Sequence, residues 1–216
     1  HFLYGFLPKL LPLPYASTAE LSQRKLGQRR MGKAVYLVRH AQSTFNEIFE
    51  RTSIDPYHFD ARLTQEGFGQ IESARPQIRA LSPDLIVTSP LTRALQTTIG
   101  IFENNCPVLV EPLLTEQLSN SCDVGRSPAD LAEEFPSLGF SHLSDRWWYD
   151  GPKDHRGIPV ELLEQLGGRI SEFLRWLDTR SEEHIILVGH GTFFFQLSGT
   201  SLRNCEHHRW HPPLHP

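Results

Sequence analysis

Strand-like runs alternate with helix-like segments along most of this 216-residue chain, and this alternation limits the possible folds more than any other feature. Short runs rich in apolar and β-branched residues occupy positions 34–38, 84–89, 107–111 and 184–191. Strands separated by helices predict a largely parallel sheet that is covered by helices on both faces. The expected fold class is therefore α/β, as a three-layer α/β/α sandwich.

Three longer segments between these runs carry apolar residues three or four positions apart, which is typical of helices. They span 64–81, 90–103 and 159–180, and a shorter helix is expected over 129–135. Pro76 is expected to kink or interrupt the first of them. The apolar face predicted for the third consists of Leu162, Leu163, Leu166, Ile170, Phe173, Leu174 and Leu177.

Composition argues against several classes of protein. The formal net charge is −4, so the chain lacks the general basic field of a nucleic-acid or membrane-surface binder. Cys106, Cys122 and Cys205 are odd in number and widely spaced, so neither a disulfide framework nor a thiolate metal site is expected. Three reduced thiols are typical of a reducing compartment, and a cytoplasmic location is the simplest interpretation.

Both ends of the chain differ from its middle. Residues 1–30 are apolar and Pro-rich at first and then basic, and they precede the only methionine, Met31. We interpret them as a non-core extension, and both an organelle-targeting segment and translated non-coding sequence fit this pattern. Residues 31–207 are predicted to form one domain, and residues 208–216 are predicted to be an irregular tail because their prolines exclude a final helix.

Charged and titratable residues follow three of the predicted strands. Arg39 and His40 follow the first strand, Arg93 lies just beyond the second and His190 ends the last. Ligands in parallel α/β folds bind beyond the carboxyl ends of the strands. Two guanidiniums and two imidazoles around one point would form a phosphoryl-sized pocket, in which we expect the ring of His40 to be open to solvent.

The same stretches supply further groups that suit phosphate oxygens. The planar guanidiniums of Arg39 and Arg93 can bind such oxygens bidentately. Small residues beyond the histidines, such as Gly191, let backbone N–H groups approach an anion. The side-chain amide of Asn46 could add a donor, although a helix-capping role suits this residue equally well.

The titratable side chains suggest covalent catalysis. Nearby arginines would keep the imidazole of His40 neutral and therefore nucleophilic toward phosphorus, with His190 stabilising the transition state. A carboxylic acid beside the phosphate would donate a proton to the leaving group, and Glu116 is the best-placed candidate. Glu111, Glu47 and Asp123 are weaker candidates for this proton donor.

Five sequence blocks resemble, in order, the signature blocks of the histidine phosphatase superfamily, which includes the phosphoglycerate mutase-like proteins. These blocks are VRHAQSTFNE, LTQEGFGQ, TSPLTRALQT, LLTEQ and VGHGT, within a resemblance from about residue 31 to about residue 207. It implies that His40 is the phosphorylated nucleophile and that Glu116 is the proton donor. It further implies a phosphate pocket of Arg39, Arg93 and His190 with a contribution from Asn46, and neither a metal nor an organic cofactor.

Departures from the family pattern bear on the reaction. Ala41 replaces the glycine that usually follows the arginine–histidine pair, which is tolerable if its φ angle is negative. The block and the insertion with which mutases clamp a phosphoglycerate are missing, which favours a phosphatase acting on a small phosphorylated molecule. A phosphoglycerate mutase-type phosphotransferase and a non-catalytic phospho-ligand binding protein are the alternatives. The sequence does not indicate an oligomeric state.

Overall fold

The computed structural model describes residues 33–103 and 105–212. The predicted extension over residues 1–30 lies outside the described residues, as do the last four residues of the predicted tail. None of the helices in the described part of the chain combines the length and apolar character needed to cross a membrane.

The centre of the fold is a five-stranded sheet in the order β3-β2-β4-β1-β5. Its strands are β1 (Ala34–Arg39), β2 (Leu85–Thr88), β3 (Val108–Val110), β4 (His184–Gly189) and β5 (His207–Trp210). The first four strands are mutually parallel, and β5 pairs with β1 in the antiparallel direction. Because β1 and β4 are neighbours with Arg39 opposite Gly189, His40 and His190 leave the sheet side by side.

Within the described residues, six α-helices accompany the sheet: α1 (Thr44–Thr52), α2 (Gln65–Arg79), α3 (Thr92–Phe102), α4 (Pro128–Glu134), α5 (Leu163–Asp178) and α6 (Gly191–Ser198). Alternate residues of each central strand enter different cores. Leu187 packs with Phe173 of α5 and Phe193 of α6 on one face, and Ile186 packs with Ile71 of α2 on the other. The chain is therefore a three-layer α/β/α sandwich, as the sequence predicts.

Two local predictions about helices are wrong, and one helix was not predicted. Helix α2 continues through Pro76 without interruption, because a proline removes only one helical hydrogen bond and the packing of Ile71 and Ile78 holds both sides of it. Leu162 and Leu163 are 61% and 60% exposed because α5 begins only at Leu163. Helix α1, which starts only four residues after His40, was not predicted.

The predicted irregular tail is wrong for residues 208–210. His207–Trp210 form β5, whose Trp210 is buried beneath the sheet and pairs with Val35 of β1. The prolines at 212 and 213 follow this strand and therefore do not interrupt its hydrogen bonds. β5 thus covers what would otherwise be an open edge of β1.

Candidate active site

The site is built at the carboxyl ends of β1, β2 and β4, together with the loop after β3. His40 is held through its backbone, because its N–H donates to Gly189 O at 2.9 Å and its carbonyl accepts from Asn204 Nδ2 at 2.9 Å. The next N–H, that of Ala41, donates to Thr97 Oγ1 at 3.0 Å. The φ angle of Ala41 is not positive, so alanine fits where the family usually has glycine.

The hydrogen bonds of the His40 ring fix its tautomer. Nδ1 lies 2.7 Å from the carbonyl oxygen of Ala41, and because a carbonyl only accepts, Nδ1 must carry the hydrogen. The lone pair is therefore on Nε2, which accepts from Nε of Arg93 at 3.2 Å. An imidazole in this tautomer presents Nε2 as its nucleophilic atom.

Arg93 is a buried residue of α3 whose guanidinium lies between His40 and an acidic partner. One terminal nitrogen donates to the carbonyl of Cys122 and the other forms an ion pair of 2.8 Å with Asp123. The second carboxylate oxygen of Asp123 accepts from the backbone N–H groups of Ser119 and Asn120. Asp123 is thus engaged in holding Arg93, which makes it a poor candidate for a proton donor.

His190, Gly191 and Arg39 form the neighbouring part of the site. The rings of His40 and His190 lie 5.2 Å apart, and neither buried ring nitrogen of His190 has a hydrogen-bond partner among the described residues. Arg39 donates to the carbonyl of Leu202 at 2.8 Å, whereas its buried Nε has no hydrogen-bond partner in the part of the chain that the structure describes. A Cβ at Gly191 would lie 3.3 Å from that Nε, so the absence of a side chain lets the guanidinium approach the start of α6.

Burial and positive charge keep both histidines neutral. Burial, followed by the charges of Arg93 and Arg39, lowers the pKa of His40 well below its ordinary value. Burial, followed by the charge of Arg93, does the same to the pKa of His190. The expectation that the His40 ring is open to solvent is wrong, because His40 is only 3% exposed and Arg93 lies against Nε2.

Glu116 belongs to the loop after β3, and its carboxyl group contacts the first turn of α6. Its Oε2 accepts from the backbone N–H of Thr192 at 3.0 Å, and its Oε1 accepts from those of Phe193 and Gln117, each at 2.9 Å. Burial, followed by the charge of Asp123, raises the pKa of the Glu116 carboxyl group, whereas the backbone hydrogen bonds and Arg93 oppose this rise. Oε2 accepts only one of the three bonds and so retains the capacity to carry a proton.

Asn46 has a structural partner set. Asn46 is the third residue of α1, and its Oδ1 accepts from the backbone N–H of Ser43 at 3.2 Å. In return, Ser43 Oγ accepts from the backbone N–H of Asn46. This reciprocal pair is a capping box, the role that the sequence left open beside phosphate binding. Asn204 Nδ2 lies 3.5 Å from Asn46 Oδ1, so Asn46 adjoins the residue that holds the backbone of His40.

Five of the predicted residues therefore belong to one cluster: Arg93 bonds Nε2 of His40, the ring of His190 lies beside that of His40, and the charges of Arg39 and Glu116 act on His40 and Arg93 respectively. Gly191 adjoins Arg39. Sequence reasoning missed Asn204 and Thr97, and it named Asp123 only as a weak proton donor. Asn204 contacts the backbone of His40, Thr97 that of Ala41, and Asp123 the guanidinium of Arg93. A single sequence contains no periodicity or spacing from which such contacts could be read.

Comparisons with known proteins identify the family of the chain. The model of the histidine phosphatase superfamily (branch 1) matches residues 35–215. Phosphoglycerate mutase-like protein 1 of Arabidopsis thaliana is 32% identical over 214 residues, covering 81% of this chain and 73% of the relative. The adenosylcobalamin/alpha-ribazole phosphatase of Escherichia coli (strain K12) is 24% identical over 159 residues, covering 72% of each chain.

Solved structures share the fold. The alpha-ribazole phosphatase from Shigella flexneri superposes with a TM-score of 0.54 at 20% identity, covering 81% of this chain and 88% of that one. Mycobacterial glucosyl-3-phosphoglycerate phosphatase in complex with VO3 superposes with a TM-score of 0.55 at 20% identity, covering 84% and 100%. With the family match spanning most of its length, this chain belongs to the histidine phosphatase superfamily, in its branch 1.

Proposed function

We propose that the chain is a phosphomonoester hydrolase that works through a phosphohistidine at Nε2 of His40. The observation that carries this proposal is the tautomer of His40, whose Nδ1 is hydrogen-bonded to the Ala41 carbonyl while the lone pair of Nε2 faces the guanidinium of Arg93. A buried, neutral imidazole beside two arginines is suited to attack an anionic phosphoryl group.

The reaction would proceed in two displacements. Nε2 of His40 forms a bond to phosphorus as the ester P–O bond breaks, and the leaving oxygen takes the proton of Glu116. Water then attacks phosphorus, the P–N bond breaks and Glu116 recovers a proton from that water. Arg39, Arg93 and the ring of His190 would stabilise the charge on the phosphoryl oxygens in both transition states.

Access to Nε2 requires a movement of Arg93. In the structure, the Nε–H of Arg93 occupies the lone pair with which His40 would attack. An anionic phosphoryl oxygen is a stronger acceptor than a neutral imidazole, so substrate would draw the guanidinium away from Nε2. The same shift would expose the nucleophile and place a positive charge on the phosphoryl group.

Trapping the covalent intermediate tests the nucleophile. A phosphomonoester labelled at phosphorus should transfer its label to the wild-type protein during a rapid-quench experiment, as an acid-labile and base-stable adduct. His40→Ala should abolish labelling and lower kcat by at least about 10³-fold, by analogy with the loss of other catalytic nucleophiles. His142 is a matched control, because its ring also bonds a backbone carbonyl at 2.7 Å.

His142→Ala should retain both labelling and turnover. Near-normal turnover by His40→Ala would remove His40 from the mechanism. Binding of inorganic phosphate without turnover of a broad panel of phosphomonoesters would instead favour the non-catalytic binding protein.

The proton donor is tested through the leaving group. Glu116→Gln should lower kcat for an alkyl phosphomonoester by about 10²-fold but should scarcely affect an activated aryl phosphate, whose leaving group needs no proton. Glu111→Gln is the control, because Glu111 is buried and caps the turn Pro112–Leu114 by accepting from Leu113 at 2.9 Å. An equal loss on both substrates would assign the proton to another acid.

Hydrolysis is favoured over phosphoryl transfer within one molecule. The relatives from Escherichia coli and Shigella flexneri are named as phosphatases, and the Arabidopsis thaliana relative is named only as mutase-like. Incubation with 3-phosphoglycerate and a bisphosphoglycerate primer should release inorganic phosphate. Formation of the 2-isomer without phosphate release would identify a mutase.

A further inference from the structure

We infer that Arg169 of α5, acting with Glu161, is a positioning residue that holds the loop carrying Glu116 against the start of α6. This inference rests on the proposed role of Glu116 as proton donor. Arg169 lies on α5, in the same layer as α6, and its hydrogen bonds go to the loop and to Glu161 rather than to His40. Its hydrogen bonds would therefore act on the reaction through the place of one carboxyl group, while its charge adds to the effect of burial in lowering the pKa of His190.

The guanidinium of Arg169 is the main link between α5 and this loop. One terminal nitrogen donates to the carbonyls of Leu113 and Thr115 at 3.0 and 2.7 Å. The other donates to the carbonyl of Glu116 itself at 3.1 Å. Three backbone carbonyls within four residues therefore bond to one side chain.

Glu161 completes the arrangement. Its carboxylate is 3% exposed and accepts from Nε and one terminal nitrogen of Arg169 at 2.9 and 2.6 Å. Its backbone N–H donates to the carbonyl of Leu118 at 2.8 Å, and its own carbonyl accepts from Gln117 Nε2 at 2.8 Å. Glu161 thus bonds Gln117 and Leu118, the two residues that follow Glu116 in the loop.

Arg169 also contacts Phe193, a residue of α6 that bonds the carboxyl group of Glu116. Its guanidinium carbon lies 5.5 Å from the ring centroid of Phe193, and the N–H of Phe193 donates to Glu116 Oε1. Arg169 is therefore in contact both with the loop that carries Glu116 and with the helix end that receives its oxygens. A shift of either relative to the other would move the proton away from the ester oxygen.

Only an arginine can make these contacts together. Nε and both terminal nitrogens of Arg169 are engaged, in a planar fork that spans a carboxylate and three carbonyls. Lysine presents a single nitrogen and would keep the charge while losing most of this geometry. A displacement of about 1 Å in a catalytic group can lower a rate by about 10²-fold.

The test compares Arg169→Lys, Arg169→Met and Glu161→Gln on two substrates. We expect Arg169→Lys to lower kcat about 30-fold for an alkyl phosphomonoester and less than about 3-fold for an activated aryl phosphate, as expected when proton donation is weakened. The inhibition constant for inorganic phosphate should change less than about 3-fold, because the phosphate pocket is untouched. In a Glu116→Gln background, Arg169→Lys should cause no further loss of selectivity between the substrates.

Arg75 is the matched control, since its Nε donates to the carbonyl of Gly100 at 2.8 Å and its guanidinium pairs with Glu72 far from the site. Arg75→Lys should leave the ratio of the two rates unchanged. If Arg169→Met does not fold, Arg169→Lys and Glu161→Gln carry the test, with melting temperatures measured for all variants.

The outcomes separate this inference from the proposed function. If Glu116→Gln shows the leaving-group effect and Arg169→Lys does not, the positioning role is wrong and the proton donor stands. An equal fall on both substrates in Arg169→Lys likewise overturns the positioning role. If Glu116→Gln itself shows no leaving-group effect, the proposed donor is wrong and the inference that rests on it falls.

Discussion

Arg93 and Asp123 form an ion pair of 2.8 Å in which each side chain is only 3% exposed. Through it, the turn at 119–123 holds the guanidinium that contacts Nε2 of His40. Because both side chains are buried, water cannot solvate the remaining charge if its partner is removed. The pair therefore links the stability of the site to the orientation of the group that would bind phosphate.

Neutralising the acid should harm both properties. Asp123→Asn leaves the charge of Arg93 buried and uncompensated, so we expect the free energy of unfolding to fall by about 3 kcal/mol. kcat/KM for an aryl phosphate should fall by about 10²-fold, because Arg93 loses its fixed orientation. Urea titration and steady-state kinetics measure the two effects.

Asp150 provides the control for this substitution. It pairs with Arg146 at 2.6 Å, but the two side chains are 45% and 66% exposed. Asp150→Asn should change the free energy of unfolding by less than about 1 kcal/mol and leave kcat/KM unaltered. Comparable losses in both variants would show that burial of the Arg93 pair is unimportant.

The lack of a side chain at position 191 should matter for phosphate binding. In Gly191→Ala, the new methyl group would lie 3.3 Å from Arg39 Nε and would push the guanidinium aside. We expect the inhibition constant for inorganic phosphate to rise by about 10-fold, because a shifted guanidinium loses its charge-assisted bonds. Gly69 in α2 is the control, since a Cβ there meets no atom within 4 Å.

Gly69→Ala should leave phosphate inhibition unchanged and stabilise the fold by about 0.5–1 kcal/mol, because alanine loses less backbone entropy in a helix. If Gly191→Ala binds phosphate as the wild type does, Arg39 is not confined by the start of α6.

Turnover should depend on pH in a way that differs between leaving groups. The pKa of His40 is lowered and that of Glu116 is raised, so His40 is neutral while Glu116 is protonated at acid pH. As pH rises through the raised pKa of Glu116, kcat for an alkyl phosphomonoester should fall. kcat for an activated aryl phosphate should stay level over the same range, which a pH series with both substrates will show.

Stability should also depend on pH, with a sign set by the two buried histidines. Their pKa values in the folded protein are well below the ordinary 6.5, so the unfolded chain binds protons first as pH falls. Between pH 6.5 and the lowered pKa values, the free energy of unfolding should decrease by up to about 1.4 kcal/mol per pH unit for each histidine. The raised pKa of Glu116 opposes this trend only near and above its ordinary value of 4.5.

Urea titrations at pH 7.5, 6.5 and 5.5 measure that decrease. His190→Gln removes one of the two titrating groups, so its dependence on pH should be about half as steep over this range. An equally steep dependence in the variant would mean that other groups account for it.

The sequence alone predicted the layers of the fold and the meeting of His40 and His190 at one edge of the sheet for one physical reason. Alternating strands and helices almost require a parallel sheet, and a parallel sheet brings His40 and His190 to the same edge. The course of α2 through Pro76 was not predictable, because tertiary packing of Ile71 and Ile78 outweighed a local preference. β5 was missed because its residues, which include His207 and His208, pair with β1 from a distant part of the chain.

The supporting contacts of the site were equally hidden. Whether Asp123 donates a proton or holds Arg93 depends on the fold of the turn between them, which no spacing specifies. The exposure of His40 depends on how closely Arg93 approaches its ring. Such features arise from side-chain packing, to which periodicity and composition are insensitive.

The backbone carbonyl of His40 accepts a hydrogen bond from Asn204, a residue 164 positions further along the chain. The backbone carbonyl of Arg39 accepts from the N–H of Cys205, and β5, which follows Cys205, pairs with β1. During synthesis on the ribosome, Asn204 and β5 emerge long after His40. The backbone around His40 would therefore reach its final arrangement only after residues 204–210 have been translated and have docked against β1.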